Sequence, residues 1–422
     1  MKILIKNARI SDPLSPHNGQ TTDLLIDNGI ISRIGPEAGS GQNPDSVVTA
    51  EGLVVSPGWM DVFAHFADPG YEFKETLESG AAAAAAGGYT DVMVIPNTLP
   101  AIHNKASVEY IVHKSQPLPV TIHPIGAITR NTEGKELAEM YDMKWSGAVA
   151  FSDGLNCVQS SGLLVKALQY VKAFDGVIIQ LPEDKSVNPP GLINEGIIST
   201  QLGLPGKPAM AEELVVERDI SLAEYTGSNI HLTGISTKKS ADYIRTGKTS
   251  GIPVSCSVTP YHLYFCDEDM TTYNTNLKVN PPLRTPQDRE ALKTAILDGT
   301  VDCLASHHLP HEFDSKVIEF EYARFGMCGL ETAYSVLKAA VPDISTERCV
   351  ELLATNPRKI FGLDPATIRE GNTACLTLFQ PEAAWTFSTA HSKSKSVNTP
   401  FDGMTFKGKI TGTINRGRLT RT

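Results

Sequence analysis

Three side chains in this sequence could meet at a metal ion: His65, Asp153 and His307. Two imidazole nitrogens and one carboxylate make a partial zinc-type ligand set, provided that the fold brings them to one point. The competing reading makes His65 and His307 a histidine pair held by hydrogen bonds alone. His308 and His311 follow in SHHLPH, a loop-like stretch where solvent-exposed or capping roles are more usual, and His231 in NIHLTGIS reads as structural. Glu183-Asp184-Lys185 is a charged trio that by itself would be an ordinary solvated turn. The seven cysteines (Cys157, Cys256, Cys266, Cys303, Cys328, Cys349 and Cys375) are dispersed, with no CxxC pair. That pattern argues against a cysteine zinc site and fits free thiols in a reducing cytoplasm.

The elements that must position these residues show in the hydrophobic pattern. Short apolar or β-branched runs recur at GWMDVFAHF (58–66), TDVMVIPN (90–97), VTIHPIGAI (120–128) and GAVAFSD (147–153). They continue at GVIIQL (176–181), NIHLTGIS (229–236), PVSCSVT (253–259) and VDCLASHH (301–308). Helix-like stretches such as KASVEYIVHKS, SGLLVKALQYVKAF and PQDREALKTAIL fill most of the intervals, and the alanine run at 81–86 reads as a close-packed helix. Eight alternations of strand and helix predict a (β/α)8 TIM barrel over 54–364. Function in such a barrel collects at the C-terminal strand ends. Those ends carry Phe63-Ala64-His65, Asn97, Asp153, Leu181, Gly234 and Ser306-His307-His308. Two Pro- and Asn-rich connections, 182–208 and 260–286, should lie over the mouth.

Both termini differ from this middle. KILIKNARI, DLLIDNGIISRIG and SVVTAEGLVV alternate like strands, and Asp27-Asn28-Gly29 is a hairpin signal. ACLTLFQP, WTFS and FKGKITGTINRGRL have the same character. Segments 1–53 and 365–422 are therefore expected to pair into one small composite β-sandwich. A net charge of −10 argues against nucleic acid as a partner. No apolar run approaches the roughly 20 residues of a membrane helix, and the opening residues lack signal-peptide character, so a cytoplasmic location is expected.

Longer motifs carry a resemblance. SPGWMDVFAHFADPGYEFKETLESGAAAAAAGGYTDVMVIPNT, GAVAFSD, LPEDKSV, IHLTGISTKKS, VTPYHL, KVNPPLR, LPHEFDSK, FGMCGLETA, TNPRKIFGL and SKSVNTPFDGMTFKGKITGTINRG resemble type I dihydroorotases, in order and over nearly the whole chain. The resemblance implies an amidohydrolase barrel that interconverts carbamoyl aspartate and dihydroorotate in pyrimidine biosynthesis, with one or two zinc ions. The implied ligands are an HxH on strand one, a carboxylate or modified lysine on strand four, histidines on strands five and six, and an aspartate on strand eight.

Residue by residue, the pattern breaks. Phe63 replaces the first histidine of HxH, while His65 keeps the second, and Asp153 stands at the strand-four position. Leu181, Gly234 and His307 occupy the strand-five, strand-six and catalytic-aspartate positions. Asn97, Asn280 and His311 match substrate contacts, but Ala67 replaces the arginine that would clamp a carboxylate. Zinc lowers the pKa of bound water from about 15.7 to about 7, roughly 12 kcal/mol. A substitute hydrogen bond, at roughly 1–3 kcal/mol, does not replace that. His65, Asp153 and His307 are thus expected as vestiges holding zinc weakly or not at all.

Two readings follow. In one, the chain is a non-catalytic relative, kept as a structural partner of aspartate transcarbamoylase and itself dimeric. Its support is an undamaged scaffold around a dismantled metal site. In the other, it is a working dihydroorotase or other cyclic amidohydrolase with an atypical metal site.

Overall fold

The computed structural model describes residues 1–422. Strands from the two ends of the chain share one hydrogen-bonded sheet. Lys2–Ile10 pairs antiparallel with Thr21–Asp27, which pairs antiparallel with Ile30–Ile34. Asn28 and Gly29 join these last two strands with φ of 49° and 81°. A two-residue hairpin turn needs that left-handed backbone, and Asn-Gly supplies it at low cost. On its other edge Lys2–Ile10 runs parallel to Ser46–Val48 and to Val54–Pro57. Val54–Pro57 then pairs antiparallel with Leu376–Thr386, which continues to Thr405–Asn415 and Arg418–Arg421. Ile3, Ile5, Leu24, Ile26, Leu376, Leu378 and Ile414 pack into one buried cluster, so both ends of the chain share a core. Val54–Pro57 falls within the span assigned to the barrel from sequence, yet its hydrogen bonds lie in the terminal sheet. The apolar run hides the change of sheet, which occurs at Gly58.

The eight expected barrel strands are all present and parallel. They are Trp59–Ala64, Tyr89–Val94, Thr121–Gly126, Ala150–Phe151, Val177–Gln180, Asn229–Leu232, Val254–Val258 and Cys303–Leu304. The first two are buried at every position. Helices cover such a sheet outside and side chains fill it inside, so its strands lose the hydrophobic–polar alternation. A bridge between Ala64 and His308 joins the last strand to the first. Beside it, the Asp61 carboxylate accepts hydrogen bonds from the Ser306 amide (2.6 Å) and hydroxyl (2.9 Å).

Local capping sets where the outer helices begin. Leu77–Ala86 starts at a Thr76–Ser79 capping box, Lys105–Ser115 at Asn104–Ser107 and Pro286–Leu297 at Thr285–Asp288. The alanine helix lies close against the sheet: a Cβ on Gly80 would sit 2.5 Å from the Phe66 ring.

The C-terminal span does not go entirely into the terminal sheet. Phe387, Phe401 and Phe406 share a core with Tyr261, Leu277, Val279 and Met327 from the barrel's loops. Between the two strands of the C-terminal hairpin, residues 392–398 form a strap anchored on Glu75, Glu331 and Leu309.

Candidate functional site at the barrel mouth

The C-terminal strand ends bring the four changed positions together. Phe63 is fully buried, and its ring lies 4.5 Å from that of His307 at 31°. His307 in turn lies over Gly234: a Cβ there would be 2.6 Å from His307 Cε1 and 3.0 Å from Leu181 Cδ1. Gly234 has φ +69°, and His307 itself has φ 44°. Left-handed backbone at a non-glycine residue is costly and persists only where its surroundings over-determine it. Phe63, Leu181, Gly234 and His307 thus form one packed plug at the barrel mouth.

The two retained residues have other partners. His65 donates from Nε2 to the Asn97 carbonyl at 3.0 Å. Burial, the larger effect, moves its pKa down to about 4, so the ring is neutral near pH 7. Asp153 accepts from the Thr129 amide at 2.9 Å and the Thr129 hydroxyl at 2.5 Å. Burial outweighs these bonds and raises its pKa to about 6. His307 Nε2 meets the Thr233 hydroxyl at 2.8 Å, while its Nδ1 is buried without a partner. Burial holds this ring neutral too, with a pKa lowered to about 3.

His65, Asp153 and His307 therefore do not assemble as a ligand set, and no three metal-capable side chains converge anywhere in the chain. Each has its own hydrogen-bond partner, and an aromatic ring packs where the first ligand of HxH would stand. The residues present do not fit the zinc centre that the family resemblance implies.

His231 is structural in a specific way. Its Nδ1 meets Ser255 Oγ at 2.9 Å and its Nε2 meets Ser257 Oγ at 3.0 Å. Ser257 donates to Thr233 at 2.9 Å, and Thr233 meets His307, so a chain of hydroxyls links the two buried histidines.

His308 and His311 depart from the solvent-exposed expectation. His308 is 1% exposed, with Nε2 3.3 Å from Glu75 and Nδ1 accepting from the Gly329 amide. His311 donates to the Phe325 carbonyl at 2.9 Å, and burial lowers its pKa to about 4. The SHHLPH stretch runs beneath the strap, which linear sequence does not show.

The residues matched to substrate contacts are engaged within the protein. Asn97 donates to the Asp153 carbonyl and accepts from the Leu155 amide, holding two mouth loops together. Asn280 binds side chains: it accepts from Lys207 Nζ at 2.8 Å and donates to Glu183 at 2.9 Å, and Lys207 also pairs with Glu183. Glu183 is thus no solvated turn residue. Ala67 is fully buried with φ 57°.

Sequence reading missed Glu75, Thr129, Thr233 and Ser394. Glu75 is fully buried and binds Ser79, Ser394, the Lys395 amide and His308. Burial alone would raise its pKa, but these hydrogen bonds hold it below the ordinary value. A carboxylate just before a capped helix looks like helix-dipole chemistry, so no linear signal marks it.

The chain has close relatives along its whole length. The family model described as Dihydro-orotase-like matches residues 52–240. The protein named Dihydroorotase of Syntrophus aciditrophicus (strain SB) is 40% identical, with 99% of each chain covered. That of Acetivibrio thermocellus is also 40% identical, over 99% of this chain and 98% of the relative. Among solved structures, the L-hydantoinase (dihydropyrimidinase) from Arthrobacter aurescens superposes with a TM-score of 0.87 at 23% identity, covering 99% of this chain and 96% of that one. A D-hydantoinase from Thermus sp. gives 0.81 at 21% identity, covering 99% and 94%. At that identity the structural likeness concerns the fold alone.

Proposed function

Because this chain belongs to the dihydroorotase family, we propose that it serves de novo pyrimidine biosynthesis, and that it does so without itself interconverting carbamoyl aspartate and dihydroorotate. The observation that carries this reading is the Phe63–His307 stack, closed by Leu181 over Gly234. A catalytic zinc needs several donors around one point with an open position for water. Here that space holds aromatic carbon, and His65 and Asp153 are turned to Asn97 and Thr129. In this reading the chain is a cytoplasmic scaffold, itself dimeric, and its partner is aspartate transcarbamoylase.

The name shared by the relatives favours a second reading, a working zinc-dependent dihydroorotase or other cyclic amidohydrolase with an atypical metal site. That reading requires the plug to open and His65 and Asp153 to exchange partners. The relatives' names weigh toward the enzyme, whereas the residues of this chain weigh toward the scaffold.

One experiment separates them: purified protein, supplied with zinc, is assayed for metal content and for dihydroorotate turnover. The scaffold reading expects no stoichiometric zinc and no turnover above the buffer rate. One or two zinc ions per chain, with turnover abolished by His65→Ala or Asp153→Ala, would establish the enzyme instead.

A further inference from the structure

The end of the barrel opposite the mouth holds a cavity of about 770 Å³, within the roughly 300–1,000 Å³ of small-molecule sites. It opens at the N-terminal ends of barrel strands four to eight, where Val149, Val177, Asn229, Val254 and Asp302 line it. The helix Met140–Trp145 contributes Lys144, and the helix Asn356–Ile360 contributes Lys359. Phe174 and Phe361 give the cavity aromatic walls.

Its charges are unevenly engaged. The Asp302 carboxylate accepts from Lys248 Nζ at 2.6 Å and from the Cys256 amide at 2.8 Å. Asp175 accepts from the Asn229 side-chain amide at 2.9 Å. Lys144 is half-buried and Lys359 exposed, and neither ammonium has an ion-pair or hydrogen-bond partner. Burial lowers the pKa of Lys144, against the smaller opposing effect of Asp175. An ammonium drawn part-way out of water without a contacting anion is left unsatisfied. Lys144, Lys248 and Lys359 outnumber Asp175 and Asp302 here, on a chain whose net charge is −10. This face of a barrel ordinarily serves stability, but stability does not call for two unpaired lysines around an aromatic-walled cavity.

The cavity also touches the barrel interior. Ser255 lines it, and the Ser255 hydroxyl meets His231 Nδ1 at 2.9 Å. The His231 ring packs edge-on to Phe361 at 5.5 Å. An occupant would therefore meet two neighbours of a fully buried imidazole.

We propose that this cavity binds a small organic anion, its apolar body against Phe174 and Phe361 and its acidic group on Lys144 and Lys359. The site is separate from the mouth, and the proposal holds whichever reading of the mouth is correct.

The test titrates phenyl phosphate, an aromatic ring with an acidic group, into the purified full-length chain and follows it by calorimetry. Inorganic phosphate is the comparison probe. Lys144→Ala and Lys359→Ala remove the two cations, and Lys6→Ala, at an exposed lysine of the terminal sheet, is the control. Circular dichroism and thermal melting establish that each variant is folded. The expected result is saturable binding of one phenyl phosphate per chain, tighter than that of inorganic phosphate. It should weaken at least about fivefold in each cavity variant and stay unchanged in the control. In protein carrying nitrogen-15 histidine, the His231 Nδ1 resonance, assigned by its loss in His231→Gln, should shift on saturation, because Ser255 is shared by ring and cavity. No saturable binding overturns the site. So does binding that both cavity variants retain within about twofold, or binding that leaves the His231 resonance in place. Inorganic phosphate binding as tightly as phenyl phosphate overturns the role given to the aromatic walls.

Discussion

At the scale of single residues, the barrel mouth is closed by packing, and the packing is cooperative. Gly234 is needed because His307 and Leu181 fill the space around it, and the Phe63 ring lies 4.5 Å from the same imidazole. A change at one of these four positions therefore meets the other three. Gly234→Ala places a methyl 2.6 Å from His307 on a left-handed backbone, and should destabilise the fold by about 2–4 kcal/mol. Urea unfolding measures it, and a midpoint unchanged from the parent chain would contradict the packing. His307 also gives stability a pH dependence. Its folded pKa of about 3 lies below the ordinary 6.5, so as pH falls the unfolded chain takes up the proton first. Stability present above pH 6.5 is lost toward pH 3. Asp153, raised from 3.8 to about 6, works in the opposite direction. His307→Gln should flatten the slope of stability between pH 6 and 4 by about 1.4 kcal/mol per pH unit. Parallel slopes for variant and parent would mean that His307 is not held neutral.

At the scale of elements, the strap is the feature that distinguishes mouth from terminal sheet. Residues 392–398 have no regular secondary structure, so their polar groups depend on neighbours. Glu75 receives the Ser394 hydroxyl and the Lys395 amide, Glu331 receives the Ser392 hydroxyl and the Lys393 amide, and Asn398 donates to the carbonyls of Leu309 and Gly326. Glu75→Ala leaves the Lys395 amide and the Ser394 hydroxyl without that acceptor, which costs about 1–3 kcal/mol for each buried group. The strap should then detach locally. Tryptic cleavage after Lys393 and Lys395, both exposed, is expected to accelerate at least about tenfold, with the far-ultraviolet circular dichroism almost unchanged. Cleavage at the parent rate would show that the strap is held by its apolar contacts alone.

At the scale of the whole molecule, barrel and terminal sheet meet through a shared aromatic joint. Trp59, on the first barrel strand, lies 4.8 Å from Tyr334 and 5.0 Å from Phe379, and the latter comes from a terminal-sheet strand. Nearby, the buried Arg358 guanidinium pairs with Asp91, whose carboxylate also binds His123 at 2.8 Å. Cutting the chain between two such bodies would expose large apolar area on each, so they should unfold as one unit. Phe379→Ala should cost about 3–5 kcal/mol and lower a single transition seen alike by tryptophan fluorescence and by circular dichroism. Two separated transitions would show independent domains.

The sequence by itself determined the layers and the side-chain chemistry available at the barrel mouth. Eight apolar runs between helical stretches dictate a closed parallel barrel, because only helices outside and side chains inside can bury both faces of such strands. The identities of Phe63, Leu181 and Gly234 already exclude them as ligands, since benzyl, isobutyl and hydrogen carry no lone pair. Tertiary structure alone decided how these residues pack together. That Phe63 stacks on His307 and that His307 needs Gly234 are contacts between strands one, six and eight, far apart in sequence. The roles of Glu75 and Asn280 were equally illegible, because their partners lie 319 and 73 residues away. Periodicity reports which face of an element is buried, but a buried polar group is defined by its partner, and partners are chosen only when the chain closes.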